Sequence, residues 1–185
     1  MVVILDGKTA CQWHDLLEHL AYLEQSALPD DAWQVGSIKT MLGQFGAAVA
    51  VVVAAKPIDG AMRGDCLQGE AATMWLQQSL ADNQLSIVAY CLFQVVFETA
   101  EIHRIGTHPD YHRRGLATRL MTAVNQSVAA AGAERLLLEV RADNVAAIGL
   151  YQRQGFEPID VREGYYRADD GQSVDALIMQ QRIHD

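Results

Sequence analysis

The run His112-Arg113-Arg114-Gly115-Leu116-Ala117-Thr118 places two guanidinium groups and a glycine directly ahead of a segment in which Leu116, Leu120, Met121, Val124 and Val128 recur at the spacing of one helical face. The first amides of a helix have no acceptor within it, and they point where the helix dipole is positive. Flanked by arginines, they form a cradle for a phosphorylated ligand. Gly115 and the small Ala117 let a phosphate approach the backbone, where a larger side chain would block it. A solvated basic turn is the blander reading of the same residues. No Gly-Lys-[Ser/Thr] follows, which excludes a P-loop, and no G-x-G-x-x-G supports a dinucleotide fold.

Other chemistries are poorly served. His108 and His112 lie four apart, but Pro109 disfavours a helix presenting both and no third ligand is evident, so no metal site is expected. Cys11, Cys66 and Cys91 are odd in number and form no C-x-x-C pair, which argues against a disulfide framework or zinc knuckle and for a reducing cytosol. Cys91, inside an apolar run, reads as a buried strand cysteine rather than an acyl carrier. Asn125-Gln126-Ser127 fits a glycosylation acceptor but falls inside the predicted helix. A formal net charge of -9 argues against a nucleic-acid partner, since only one local turn is basic, and suits a cationic one. The opening M-V-V-I-L-D is too short for a signal segment, and the apolar run over 47–55 falls short of the roughly 20 residues that span a bilayer. A cytoplasmic protein with no membrane partner is expected.

The elements that must position the basic turn follow from periodicity. With 185 residues, half of them hydrophobic, the chain can bury one substantial core, which predicts a single domain over 1–185. Leu16, Leu17, Leu20 and Leu23 predict a helix over 15–25, with Pro29-Asp30-Asp31 as a stop and new N-cap before a second helix over 32–42. The valines of 47–55 predict a buried strand. Residues 56–84 read as an insertion carrying a short helix over 70–80. A long strand follows over 85–97, then a turn at 98–100 and a strand over 101–107. After the central helix, Leu136, Leu138 and Val140 share one face of a strand, with Leu137 and Glu139 on the other. Asp143 is expected to cap a helix over 144–154 whose inner side carries Ala147, Ile148, Leu150 and Tyr151. A closing hairpin over 156–163 and 176–181 has a connection holding Tyr165, Tyr166 and the turn Asp169-Asp170-Gly171. Strand and helix alternating after a meander imply a mixed α/β sheet with helices on its faces.

Three stretches carry a family resemblance. H-R-R-G-L-A resembles the acyl-CoA-binding pattern [Gln/Arg]-x-x-Gly-x-[Gly/Ala] of the GNAT superfamily of N-acetyltransferases, with His112 departing at the first position. L-E-V-R-A-D-N-V-A-A-I-G-L-Y-Q-R-Q-G-F, from Leu138 to Phe156, is similar throughout to L-E-V-R-x-x-N-x-x-A-x-x-L-Y-x-x-x-G-F of the branch that acetylates the N-terminal alanine of a ribosomal protein. Tyr165, Tyr166, Gly171, Asp175, Ala176 and Met179 resemble that branch's Y-Y-x-x-x-x-G-x-x-D-A-x-x-M, with Gly164 where the branch usually has Asn. The similarity covers Glu101 to Met179. It implies the acyl-CoA N-acyltransferase fold, a mixed and mostly antiparallel sheet with helices on both faces.

The resemblance also implies roles. Acetyl-CoA would be the co-substrate, its pyrophosphate held by His112, Arg113, Arg114, Gly115, Leu116, Ala117 and Thr118. Ile105, Gly106 and Thr107 would offer main-chain groups to the pantetheine arm, and Gly106 also suits a bulge or close backbone approach. Asn144 would bind the same arm, although an Asn at a helix start is also a cap. Glu139 would be the general base and Tyr151 the acid that protonates the departing thiolate. Without the motif, Glu139 reads as a strand carboxylate paired with Arg141 or Arg153, and Tyr151 as a core aromatic. Tyr165 and Tyr166 would grip a peptide N-terminus.

The branch implies the N-terminal alanine of a small-subunit ribosomal protein as acceptor, and a basic ribosomal tail suits an acidic enzyme. A free α-amine titrates near about 7.7–8.0 and lysine near about 10.4, so a single carboxylate more readily serves the former. Transfer to lysine or a small amine, and a non-catalytic acyl-CoA-binding module, are the alternatives.

Overall fold

Apolar alternation and helical period sort the chain into strands β1 (Val2–Asp6), β2 (Ala47–Ala55), β3 (Cys66–Gln68), β4 (Leu85–Val96), β5 (Thr99–Thr107), β6 (Arg135–Arg141), β7 (Glu157–Arg167) and β8 (Ser173–Arg182). The helices are α1 (Gly7–Ala10), α2 (His14–Ala27), α3 (Val35–Leu42), α4 (Glu70–Ala81), α5 (Leu116–Ala130) and α6 (Val145–Arg153). The computed structural model describes residues 1–55, 66–82, 85–167 and 173–183. The strands hydrogen-bond in the order β3-β1-β2-β4-β5-β6-β8-β7. The pairs β1–β2, β2–β4, β6–β8 and β7–β8 are antiparallel, while β1–β3 and β5–β6 are parallel. This is the mixed, mostly antiparallel α/β architecture expected. Among the described residues no helix is long and apolar enough to cross a membrane.

Two compact units divide the chain, one made of Met1–Gln94 with Arg104–Val124 and the other of Val95–His103 with Asn125–Asp185. In the first, Val3, Leu5, Val49 and Val51 join Leu16, Leu20 and Leu23 of α2, Ile38 and Leu42 of α3 and Leu76 of α4 in one apolar cluster. Val2, Ile4, Ala50 and Val52, on the opposite alternation, are buried as well, so both faces of these strands are covered. In the second unit Leu136, Leu138 and Val140 are buried, the face the alternation assigned, with Tyr151, Phe156, Ala176 and Met179.

Several boundaries move for physical reasons. β1 and α1 went unpredicted because five strand residues and one turn of helix carry little periodic signal; Asp6 caps α1 through its carboxylate and the Thr9 amide. β3 pairs in parallel with β1, so part of the expected insertion joins the sheet. Pro29–Asp31 form a 3-10 turn, and α3 starts only at Val35 behind Gln34, which makes no side-chain cap. Asn144, not Asp143, caps α6 by accepting from the Ala147 amide at 3.1 Å, because Asp143 is taken by Arg141 at 2.7 Å, a pairing that also lowers the Asp143 pKa. Of the four expected inner residues of α6 only Tyr151 is fully buried. Tyr165 and Tyr166 lie within β7 rather than in a connection, and the turn Asp169-Asp170-Gly171 lies outside the described residues.

Candidate active site

The basic turn belongs to the first unit. Its entry is fixed by the His108 amide, which bonds to the Val88 carbonyl at 2.9 Å, and by His112, whose Nε2–H donates to the Thr107 carbonyl at 2.9 Å. His112 thus closes the turn onto the end of β5. Arg113 sits at φ +61° and Gly115 at φ +72°, both in the left-handed region that side chains disfavour and glycine accepts. A Cβ placed on Gly115 would meet nothing within 4 Å, so open space lies before it. The first bond leading into α5 runs from the Arg119 amide to the Gly115 carbonyl, which leaves the amides of Leu116, Ala117 and Thr118 without an intrahelical acceptor. Arg114 stacks over the Tyr111 ring at 4.9 Å and donates to the Asp110 carbonyl at 3.1 Å, while Arg113 is exposed. These groups can receive a dianion, and they fit the diphosphate of a coenzyme A ester.

Ile105, Gly106 and Thr107 end β5. The parallel register of β5 with β6 runs from Thr99↔Arg135 to Ile102↔Leu138. At Gly106 the neighbour is a side chain rather than a backbone: a Cβ there would fall 2.6 Å from the Tyr90 ring. Tyr90 in turn donates its phenol to Glu24, which is fully buried on α2. Arg104 of β5 completes the cluster, with Nη2 2.6 Å from Glu24 Oε2 and Nη1 2.7 Å from Asp31. It also lies 5.1 Å over the Trp33 ring, and the Trp33 amide donates to Glu24 at 3.0 Å. Sequence reading missed this cluster. Its signal was available, since Glu24 falls one helical step beyond Leu16, Leu17, Leu20 and Leu23, on the apolar stripe of α2.

The second unit carries the expected base. Glu139, its side chain 22% exposed, receives Arg162 Nη1 at 2.8 Å on Oε2 and the Tyr166 hydroxyl at 3.3 Å on Oε1. Its ion-pair partner is therefore Arg162. Register explains the reach. Arg141, Ala176 and Arg162 lie side by side across β6, β8 and β7, so the small Ala176 stands between the two arginines. Arg162 lies 5.4 Å over Tyr165, Arg141 5.4 Å over Tyr166, and the two tyrosine rings meet edge to face at 5.1 Å. Between Arg162↔Ala176 and Tyr166↔Val174, three residues of β7 face the single Asp175 of β8. Gly164 takes up this bulge at φ +60° and donates its amide to Asp175 at 2.8 Å, which accounts for glycine at that position.

The structure thus brings Glu139, Tyr165 and Tyr166 together and adds Arg162, which no periodicity flagged because β7 is exposed along most of its length. Tyr151 is 5% exposed and packs against Phe156 at 5.9 Å between centroids. Asn144 Oδ1 is engaged as a helix cap. Cys91 is buried, and burial pushes its thiol pKa well up, which suits an inert core residue. Among the described residues no group of three or more His, Cys, Asp or Glu could hold a metal ion.

Residues 56–156 match the model of the acetyltransferase (GNAT) family. The [ribosomal protein bS18]-alanine N-acetyltransferase of Escherichia coli strain K12 is 35% identical over 117 residues, spanning 57% of this chain and 78% of that protein. The enzyme of the same name from Haemophilus ducreyi is 34% identical over 96 residues, spanning 52% and 66%. Among solved structures, the ribosomal-protein-S18-alanine N-acetyltransferase from Escherichia coli superposes with a TM-score of 0.70 at 25% identity, covering 100% of this chain and 96% of that one. Arabidopsis thaliana NAA60 in complex with acetyl-CoA gives 0.69 at 16% identity over 99% of both chains, a likeness of fold alone.

Proposed function

The chain belongs to the acetyltransferase (GNAT) family, and on that footing we propose that it moves the acetyl group of acetyl-CoA onto a protein's N-terminal α-amine, most specifically the N-terminal alanine of a small-subunit ribosomal protein. It is an N-acetyltransferase with acetyl-CoA as co-substrate, which supplies the activated thioester. The reading takes residues 1–185 as one catalytic domain. The free amides of residues 116–118, Arg113 and the open turn at Gly115 bind the diphosphate, and Arg114, held on Tyr111, adds a fixed positive charge. Ile105, Gly106 and Thr107 offer backbone groups to the pantetheine arm, and Asn144 offers the part of its side-chain amide not used in capping.

Glu139 takes the proton from the acceptor ammonium, Tyr151 gives a proton to the departing sulfur, and Tyr165 and Tyr166 flank the acceptor's first residue. The observation that carries this reading is the Glu139 carboxylate, partly open to solvent and held by Tyr166 beside Tyr165 on the neighbouring hairpin. The relatives named for bS18 support this choice of acceptor, and the formal charge of -9 suits a basic tail.

Glu139→Gln is expected to lower turnover about 100-fold, the usual size of a general base's contribution, with the acetyl-CoA KM unchanged. The loss is largest at low pH, where the acceptor is most fully protonated. Loss of cofactor binding with normal turnover would contradict the role. Mass spectrometry of ribosomal proteins and peptides after incubation with acetyl-CoA should find the label on N-terminal alanine. Acetylated internal lysines with untouched N-termini would sink the acceptor assignment.

A further inference from the structure

Arg162 places a cation where the proposed chemistry needs another cation to arrive. An α-amine titrating near about 7.7–8.0 reaches the enzyme at neutral pH mostly as ammonium, and it must meet the carboxylate that is to take its proton. Glu139 Oε2 is already occupied by Arg162 Nη1 at 2.8 Å, and Oε1 faces the Tyr166 hydroxyl. A neutral phenol need not leave for an ammonium to bind. A guanidinium on the other oxygen repels an arriving ammonium, and the ammonium gains the whole carboxylate only as that guanidinium withdraws.

The surroundings suit an exchangeable occupant rather than a permanent one. The Arg162 side chain is 53% exposed and projects from β7, which among the described residues pairs only with β8. Its guanidinium lies on Tyr165, itself 53% exposed, so it can swing outward along that ring without opening a cavity. Arg141, the other arginine of the cluster, donates two hydrogen bonds to Asp143.

We infer that Arg162 is a resident stand-in for the acceptor's ammonium, holding Glu139 until a cationic N-terminus displaces it, and so tuning the enzyme's affinity for charged acceptors. This rests on the reading of Glu139 as the base. The displaced pair is half-exposed, so its removal should change affinity by roughly three- to fivefold, the upper range for such pairs.

The test uses the full chain with acetyl-CoA and a peptide led by alanine. Two blocked forms of that peptide serve as inhibitors: one N-terminally trimethylated, a permanent cation that cannot be acetylated, and one N-formylated and neutral. In Arg162→Met the acceptor KM and the inhibition constant of the trimethylated peptide should both fall roughly three- to fivefold. The formylated peptide and acetyl-CoA should bind as before, and Arg162→Lys should restore the original values. Arg162→Gln, polar and neutral, provides the same comparison should Arg162→Met fold poorly. Unchanged or weakened binding of the trimethylated peptide, or equal shifts for both blocked peptides, would overturn the inference even where Glu139→Gln abolishes turnover and the base assignment stands. Full turnover in Glu139→Gln would remove both.

Discussion

Two glutamates in this protein are held by the same two kinds of side chain and come to opposite ends. Glu24 is bound by Arg104 and Tyr90; Glu139 is bound by Arg162 and Tyr166. Glu24 is fully buried, its arginine 11% exposed, and both carboxylate oxygens are filled by Arg104, Tyr90 and the Trp33 amide. Burial, reinforced by the neighbouring Glu24 charge, drives the Tyr90 phenol pKa far up; Arg104 stays firmly charged because bonds to Glu24 and Asp31 outweigh the effect of its burial. Such a cluster has no room for a substrate and ties the end of α2, Asp31, β4 and β5 together. Glu139 has fewer partners, and its arginine is half open to water. Residue types alone do not distinguish a sealed carboxylate from an accessible one. Closure and the number of filled lone pairs do.

The sharpest way to break this comparison is to make one substitution at both sites. Arg104→Met leaves a buried carboxylate without its charge partner and should cost about 3–5 kcal/mol of stability. For a chain of this length that lowers the melting temperature by roughly 6–20 °C. Arg162→Met, at a half-exposed pair, should stay within about 1 kcal/mol. Thermal and denaturant unfolding of the two variants decide it, and equal losses would erase the distinction. A smaller effect is expected at Gly106, where an added methyl group would lie 2.6 Å from the Tyr90 ring. Gly106→Ala should cost about 1–3 kcal/mol by overpacking. An unchanged unfolding midpoint would show that Tyr90 moves freely, and then the sealed cluster is not sealed.

Much of this contrast was open to sequence reading, in unequal parts. The strands through Ala47–Ala55 and Leu85–Val96 followed from apolar, β-branched runs, and Arg135–Arg141 and the helix after the basic turn from period, because each buries one face or both. Glu139 was placed by alternation and singled out by a motif. Arg162 was invisible to both, since β7 is exposed along most of its length and the bulge at Gly164 breaks its alternation. That bulge also explains why Tyr165 and Tyr166 were expected in a connection: a glycine beside polar residues reads as a turn, whereas the Gly164 amide bond to Asp175 and the pair Tyr166↔Val174 carry the hairpin across it. Arg104 and Tyr90 meet Glu24 across more than sixty residues of sequence, a distance over which period carries no information.

The finest division between the clusters is between their tyrosines, and one hydroxyl removed from each reads it. Tyr90→Phe strips a buried carboxylate of a donor while Arg104 remains, which should cost about 1–3 kcal/mol of stability. Its ring still fills the space over Gly106, so the loss reports the hydrogen bond rather than packing. Tyr166 is half-buried beside Arg141, and Tyr166→Phe should leave stability within about 0.5 kcal/mol. Its effect should fall on turnover instead, a decrease of roughly three- to tenfold, because an oriented donor to the proposed base contributes about 1 kcal/mol. Unfolding curves and steady-state rates on the same two preparations give four numbers. The pattern expected is a loss of stability in one and of rate in the other. If Tyr166→Phe instead unfolds as readily as Tyr90→Phe at an unchanged rate, the second carboxylate is a scaffold like the first, and the base must be sought elsewhere.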